Sequence, residues 1–312
     1  VCSSDLVNYP EYNLNDPFTD GTMEEMNRIW RNTIINDTYE PGSTFKVITA
    51  TAALDSGSVT LNNHYSCSGR IHVADRFVRC ANARGHGVQT FAQSLQNSCN
   101  PAFITWGLMT GKDNMVKYME SLGLYSKTGV DLPGEAGSII HKTENIKELD
   151  LAIMSFGQSF QITPLQLLRA VSAVVNGGKL VTPHFGVKKI DTEGNISVLE
   201  YEESGTIIKQ STTETMRGLL KNVVELGGGL NCRIEGYSIA GKTATSEKLP
   251  RGNGKYIASF IGIAPAENPQ VIAMCIIDEP VGMHYGGVIA APVVKSLFEN
   301  ILPYLGIEKG QM

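Results

Sequence analysis

Ser43 and Lys46 stand three residues apart, directly after a Pro-Gly turn, in the stretch YEPGSTFK of residues 39–46. In a helix, residues at i and i+3 share one face, so the hydroxyl and the amine would meet. A serine hydroxyl is a poor nucleophile until a neighbouring base takes its proton, and a neutral lysine can be that base. The pair predicts nucleophilic catalysis, although a serine cap followed by a surface lysine is a common alternative.

A lysine that acts as a base must lose its proton near neutral pH. An ordinary lysine has a pKa near 10.4, and lowering it to about 7 costs roughly 4 to 5 kcal/mol. The helix dipole contributes only about 0.3–1 kcal/mol. Burial and a second cation must therefore cause most of the shift, and we expect another lysine beside Lys46.

A second candidate element is Ser98-Cys99-Asn100, in the stretch QNSCNPAF. A hydroxyl and a carboxamide two residues apart, at a helix break before Pro101, could both project into a cleft. The serine could relay a proton, and the amide could orient the lysine and a substrate carbonyl. A plain helix cap is the alternative.

The third element is a lysine next to a hydroxyl, and it occurs twice. A literal Lys-Thr-Gly at 127–129 lies among turn residues, and we interpret it as a loop. The sequence Lys242-Thr243-Ala244-Thr245 lies within a probable strand instead. There a cation and a hydroxyl could receive a substrate carboxylate, and Lys242 could be the second cation. We favour the later site.

The elements that must position these residues fall into two groups. Helical patterns follow Ser43 as far as residues 55–57, occupy both sides of Pro101, and follow Thr163; a capping box from Ser211 to Glu214 predicts another helix. Region 58–88 is polar and reads as irregular. The segments 237–248, 256–266 and 270–280 predict consecutive antiparallel strands, with a helix from 291 to 305 laid across them. This arrangement predicts an α+β fold with two lobes.

Composition excludes several classes of protein. The chain has 312 residues, a net charge of −5 and a pI near 5.7, which argues against a nucleic-acid surface. Its apolar stretches are too short to span a bilayer. None of the six cysteines forms a CxxC pair and the six histidines are scattered, so neither a metal site nor a cofactor is expected. Cys67 and Cys80 flank a segment that could be a hairpin; they could form a disulfide or remain ordinary thiols.

The three motifs together resemble the signature of penicillin-binding proteins and serine β-lactamases, namely Ser-x-x-Lys, Ser-x-Asn and Lys-Thr-Gly in this order. The stretches YEPGSTFK, QNSCNPAF, GQSFQITPLQLLRAVSAVVNGG and YGGVIAAPV resemble the transpeptidase domain of class B penicillin-binding proteins, in the division and sporulation group. The resemblance covers about residues 7–305. It implies an antiparallel sheet flanked by helices, with an all-helical lobe.

The resemblance also implies roles for individual residues. Ser43 would attack the D-Ala-D-Ala amide of a peptidoglycan stem peptide, and Lys46 would take and return the proton. Ser98 and Asn100 match the middle motif. The strand motif, which would bind the terminal carboxylate, is matched by Lys242, Thr243 and Thr245, with Ala244 where the family usually has glycine. The backbone N–H groups of Ser43 and Thr245 would form the oxyanion hole.

The resemblance further implies context. We expect an entry segment at 1–22, whose first six residues read as a scar, a transpeptidase domain at 23–305 and a tail at 306–312. An N-terminal anchor outside this chain would hold the protein on the outer face of the bacterial cytoplasmic membrane, where β-lactams inhibit it and a glycosyltransferase or a division or sporulation partner accompanies it. Sporulation-type relatives carry a cysteine pair near Cys67 and Cys80, which favours a redox-sensitive disulfide.

Two other functions use the same first step. A hydrolase, either a β-lactamase or a D,D-carboxypeptidase, would pass the acyl group to water, and a β-lactam sensor or scaffold would not turn over. The chain lacks the Glu-x-x-Leu-Asn element of one β-lactamase class between Asn100 and Lys242, which argues against the β-lactamase. The presence of every catalytic side chain argues against an inactive scaffold.

Overall fold

The computed structural model describes residues 4–18 and 21–310. Cys2 and half of the expected scar at 1–6 therefore lie outside the described residues, as do the last two residues of the expected tail. Leu6, the last residue of that expected scar, packs against a cluster that contains Ile35, Val130 and Leu165.

Helices occur along most of the described part of the chain. They are α1 Met23–Trp30, α2 Thr33–Asn36, α3 Lys46–Asp55, α4 Phe91–Gln96, α5 Asn100–Thr110, α6 Lys112–Ser121, α7 Glu148–Met154, α8 Pro164–Val175, α9 Gln210–Leu226, α10 Gly286–Ile289 and α11 Ala291–Tyr304. Short 3₁₀ turns cover Gly42–Phe45, Thr143–Asn145 and Leu230–Cys232.

Within residues 4–18 and 21–310, the strands form one three-stranded sheet and four small pairs. Their bounds are β1 His64–Cys67, β2 Arg70–Val73, β3 Arg76–Arg79, β4 Gly87–Thr90, β5 Lys179–Val181, β6 Lys188–Ile190, β7 Ile196–Val198, β8 Glu203–Thr206, β9 Ala240–Glu247, β10 Tyr256–Ala264 and β11 Val271–Asp278. The main sheet has the order β11-β10-β9, and both pairings are antiparallel. The predicted α+β class and the late strands are confirmed.

The central strand β10 separates two hydrophobic clusters. Phe260 belongs to the cluster formed with α11, which includes Phe298, while Ile261 belongs to the larger cluster among the helices. Both side chains are fully buried, although neighbours in a strand point to opposite faces. Each such burial stabilises the fold by about 1.5–3 kcal/mol. The sheet is therefore held firmly between α11 and the helical part.

Two expectations about local structure were wrong. Region 58–88 is not irregular, because it contains the antiparallel pairs β1–β4 and β2–β3; their residues alternate weakly in burial, which hides them from pattern reading. The Ser211–Glu214 capping box does not form, since α9 already begins at Gln210 and places Ser211 inside its first turn. Thr163 caps α8 as expected, and it does so in a capping box with Gln166 as its partner.

No helix in the described part of the chain combines the length and the apolar character that a bilayer crossing needs.

Candidate active site

Ser43 lies in the tight turn that precedes α3. The 3₁₀ segment Gly42–Phe45 has about three residues per turn, so Ser43 and Lys46 are aligned and Lys46 Nζ lies 3.0 Å from Ser43 Oγ. Gly42 has a φ of +57°, and a Cβ there would lie 2.0 Å from Ser246 Oγ. The turn is thus pressed against β9, at a position where only glycine fits without a shift.

Lys46 is fully buried and is surrounded by oxygen atoms. Its Nζ lies 2.6 Å from both the Ser98 carbonyl oxygen and Asn100 Oδ1, and 3.2 Å from Ser98 Oγ. The carbonyl and the amide oxygen can only accept hydrogen bonds, so they take two N–H groups of the amine. A neutral amine then has its lone pair left for a hydroxyl proton. The geometry suits a neutral Lys46 that accepts the proton of Ser43.

The electrostatics point the same way. Burial lowers the pKa of Lys46 to about 7. Burial also lowers the pKa of Lys242 well below its ordinary value, and the nearby Lys46 charge lowers it further. Of the two causes expected from the sequence, burial is therefore the main cause of the lowered Lys46 pKa, and the second cation is not.

Ser98 lies in the break between α4 and α5. Its φ of +52° is unusual for a residue with a side chain, and the turn is fixed by the bond from Cys99 N to Ser94 O at 3.0 Å. Asn100 then starts α5 with its side chain directed at Lys46. The interruption that the sequence predicted at Pro101 falls at residues 97–99, because Pro101 is accepted in the first turn of α5.

Lys242 joins the sheet to this group. Its Nζ donates to Ser98 Oγ at 2.9 Å and to the Thr243 carbonyl oxygen at 2.9 Å. Ser98 Oγ therefore lies between the two lysine amines. The structure brings together the five residues that the sequence singled out for chemistry, namely Ser43, Lys46, Ser98, Asn100 and Lys242.

The rest of the strand motif faces two ways. Side chains alternate along β9, so Ala244 shares the face of Lys242, where it is buried, while Thr243 and Thr245 lie half-buried on the opposite face. Thr245 Oγ1 accepts a hydrogen bond from Gly286 N at 3.1 Å. Within the described residues, hydrogen bonds link the Lys242 side chain, but not those of Thr243 and Thr245, to Ser98.

The literal Lys-Thr-Gly at 127–129 is a loop, as expected. Thr128 is buried, and both its N–H and its hydroxyl donate to Glu135 Oε1 at 2.6 Å. These bonds hold the loop together, which gives the motif a structural role.

Cys67 and Cys80 lie at the two ends of the β2–β3 hairpin, which confirms the hairpin. Both are free thiols in the structure, so the disulfide is not formed there. Their sulfur atoms belong instead to a group with Cys99 Sγ and a His86 ring nitrogen, all within 4.8 Å of one another. The sequence patterns did not point to His86 or Cys99, because their approach depends on chain folding rather than on a known spacing.

Comparisons with known proteins agree on one family. The family model described as the penicillin binding protein transpeptidase domain matches residues 5–299. The chain is 39% identical over 285 residues to stage V sporulation protein D of Bacillus subtilis, covering 89% of this chain and 44% of that protein. It is 32% identical over 312 residues to the probable peptidoglycan D,D-transpeptidase PenA of Neisseria flavescens, covering 97% of this chain and 72% of that protein. The chain thus spans less than half of the sporulation protein.

Solved structures share the architecture. The transpeptidase domain of Burkholderia pseudomallei penicillin-binding protein 3 superposes with a TM-score of 0.80 at 27% identity, covering 90% of this chain and 84% of that one. The D,D-transpeptidase domain of a peptidoglycan glycosyltransferase from Eggerthella lenta has a TM-score of 0.86 at 24% identity, covering 97% and 75%. The predicted sheet-and-helix fold, with its all-helical lobe, is confirmed.

Proposed function

Because the chain belongs to the penicillin-binding protein transpeptidase family, in its class B group, we propose that it is a D,D-transpeptidase that cross-links peptidoglycan stem peptides through an acyl-enzyme on Ser43. One observation carries this proposal: Lys46 is fully buried, has two N–H groups taken by oxygen acceptors, and lies 3.0 Å from Ser43 Oγ.

The first half-reaction forms an ester. Ser43 Oγ attacks the carbonyl carbon between the two terminal D-alanines, and its proton passes to the lone pair of Lys46. The tetrahedral oxyanion lies between the backbone N–H groups of Ser43 and Thr245, where the loss of one donor would cost roughly 2.7–4 kcal/mol. The C–N bond then breaks, and the departing D-alanine nitrogen takes a proton from Ser98, which is resupplied by Lys46.

The second half-reaction reverses these steps with a new amine. An amino group of a neighbouring stem attacks the ester carbon, gives a proton to Lys46 and forms the cross-link. Ser43 leaves and recovers its proton. Asn100 holds Lys46 in place throughout, since its Oδ1 lies 2.6 Å from Nζ.

The strand motif supplies the receptor for the substrate. The carboxylate of the terminal D-alanine would bind along β9, at Lys242, Thr243 and Thr245. The methyl group of Ala244 is buried on the Lys242 face, and we therefore expect an altered fit of ligands rather than lost activity. The ring amide of a β-lactam would acylate Ser43 in the same way, which makes such antibiotics covalent inhibitors.

The family also suggests a setting. A membrane anchor outside this chain would place residues 23–305, as the transpeptidase domain, on the outer face of the cytoplasmic membrane. A glycosyltransferase that makes the glycan strands, within a division or a sporulation assembly, would be its partner there.

The decisive experiment uses defined peptides. The chain is incubated with a donor stem peptide that ends in D-Ala-D-Ala and with an amine acceptor. The products are identified by mass spectrometry. A cross-linked product together with free D-alanine supports the transpeptidase. Loss of one alanine with no cross-link, at any acceptor concentration, identifies a carboxypeptidase, and unchanged donor beside penicillin-labelled protein identifies a sensor.

A further inference from the structure

Three thiols and one imidazole meet beside the candidate active site. Cys80 Sγ lies 4.0 Å from Cys99 Sγ and 3.5 Å from His86 Nδ1, and the ligand atoms of Cys67, Cys80, His86 and Cys99 all lie within 4.8 Å of one another. We call these four residues the Cys₃His cluster. We propose that the Cys₃His cluster binds one zinc ion in a closed tetrahedral site.

The distances fit that ion closely. Zinc binds thiolate sulfur at about 2.3 Å and imidazole nitrogen at about 2.0–2.1 Å, in a tetrahedron. Such a tetrahedron separates two sulfur atoms by about 3.8 Å, and sulfur from nitrogen by about 3.6 Å. The Cys80–Cys99 and Cys80–His86 separations already lie within a few tenths of an ångström of these values. The other pairs of ligand atoms lie within 4.8 Å, so a contraction of at most about 1 Å would complete the coordination sphere, whereas a disulfide would require two sulfur atoms to approach to about 2.05 Å.

The backbone is built to bring the four ligands together. Gly69 and Gly85 both have positive φ angles, and each sits where a side chain cannot fit: a Cβ on Gly69 would lie 2.2 Å from Ala83 O, and one on Gly85 would lie 2.1 Å from Cys67 O. The loop that carries His86 is thereby folded onto the end of β1. The β1–β4 pairing, with Cys67 opposite Gly87, fixes the same approach from the other side.

The chemistry of the ligands selects the metal. Soft thiolates with one imidazole suit zinc, whereas magnesium and calcium require oxygen ligands. All three cysteines are buried, so the sulfur atoms are shielded from exchange with solvent. Four protein ligands leave no open position, which is typical of a structural site rather than a catalytic one.

The position of Cys99 connects the proposed zinc site with the active site. Cys99 stands between Ser98 and Asn100, the two residues whose oxygen atoms hold Lys46. A metal bond at Cys99 would fix the strained turn at Ser98 and thus the setting of Lys46. Cys99 is then a positioning residue; this second part rests on the proposed function, whereas zinc binding itself does not.

Metal content tests the binding directly. The chain is purified without chelators. Its zinc content is measured by inductively coupled plasma mass spectrometry and divided by the protein concentration. We expect one zinc per chain in the wild type and in Cys275→Ser, whose thiol lies on β11 outside the cluster. Loss of a residue that only hydrogen-bonds to a metal ligand lowers metal affinity about 10–100-fold. His86→Ala and Cys80→Ser remove a ligand itself, so each should lower zinc affinity by more than that. No zinc in the wild type after refolding with added Zn²⁺, or full zinc in both variants, would overturn the proposal.

Cobalt substitution tests the geometry on the unaltered chain, so the result does not depend on whether variants fold. Zinc is removed with a chelator and replaced with Co²⁺. Tetrahedral thiolate ligation gives intense visible bands and a sulfur-to-cobalt absorption in the near ultraviolet. A pale spectrum typical of six oxygen ligands would contradict a zinc site. So would a chain that is isolated without metal and whose peptide map shows a disulfide from Cys80 to Cys67 or Cys99.

The positioning role has its own measurement. Metal-free wild type that keeps its circular dichroism should be acylated by penicillin at least about tenfold more slowly and recover when Zn²⁺ is added. Zinc binding with unchanged acylation would remove the positioning role and leave the metal site. Zinc binding in a chain that penicillin never labels would instead refute the proposed function alone.

Discussion

Lys242 Nζ lies 2.9 Å from Ser98 Oγ, although 144 residues separate the two along the chain. This hydrogen bond connects the edge strand β9 with the break between α4 and α5, and thus the sheet with the helices. It also completes a row of polar atoms from Lys242 through Ser98 to Lys46 and Ser43.

Ser43→Ala should abolish covalent labelling by penicillin. Because the Ser43 hydroxyl is the proposed nucleophile, intact-mass analysis should show the adduct on wild type and none on the variant. Ser211→Ala, a change at an exposed serine of α9, is the matched control and should label like wild type. Equal labelling of the Ser43 variant would end the assignment of the nucleophile.

Lys46→Met should fold but acylate at least about a hundredfold more slowly, since a general base contributes about 10²–10⁴-fold. Methionine fills a similar volume but leaves Ser98 O and Asn100 Oδ1 without a donor, so we expect the free energy of unfolding to fall by about 1–3 kcal/mol. Stopped-flow acylation and thermal unfolding measure the two effects. Lys188→Met, on the exposed strand β6, should change neither. Acylation at the wild-type rate would exclude Lys46 as the base.

Acylation should depend on pH in one direction. Burial lowers the pKa of Lys46 to about 7, so the amine carries a proton below that pH and cannot accept another from Ser43. The acylation rate should rise through pH 7 and fall about tenfold per pH unit well below it. Circular dichroism at each pH separates this effect from acid unfolding. A rate that is constant between pH 5.5 and 8 would contradict a lysine base.

Gly42→Ala should damage the site more than Gly57→Ala. Both glycines have positive φ angles, +57° and +75°, so both alanines carry a left-handed strain of about 1–2 kcal/mol. Only at Gly42 does the new Cβ also meet the Ser246 side chain, since nothing lies within 4 Å of a Cβ at Gly57. We expect a further loss of about 1–3 kcal/mol in unfolding free energy and a slower acylation for the Gly42 variant alone. Equal effects of the two changes would show that the contact with β9 has no role.

The local sequence predicts the reactive pair better than it predicts the distant residues that surround the pair. Ser43 and Lys46 are neighbours on one turn, so spacing alone brings them together. The link to Lys242 was inferred from the need for a second cation and from its place in a probable strand, since no local pattern encodes a contact between residues so far apart; the family resemblance then pointed to the same lysine. The cause of the lowered Lys46 pKa was predicted in part: burial was expected and is the main cause, but its completeness depends on the packing of distant elements, and the expected second cation is not among the causes.

The Cys₃His cluster was missed for a related reason. Zinc sites are recognised from short repeated spacings, whereas Cys67, Cys80, His86 and Cys99 are separated by unequal intervals. What unites them is the close backbone approach at Gly69 and Gly85. Positive φ angles at these two glycines cannot be predicted from a single sequence, since glycine adopts negative φ angles about as readily as positive ones.

The sheet-to-helix hydrogen bond also affects how this chain responds to heat. The reactive pocket exists only while β9 stays docked against the α4–α5 break. A partly unfolded chain that keeps its helices but has lost this contact would therefore not be acylated. Warming should therefore extinguish penicillin labelling in step with the loss of near-ultraviolet circular dichroism, ahead of the far-ultraviolet signal if the two separate. A radiolabelled antibiotic would then count natively docked molecules in a preparation.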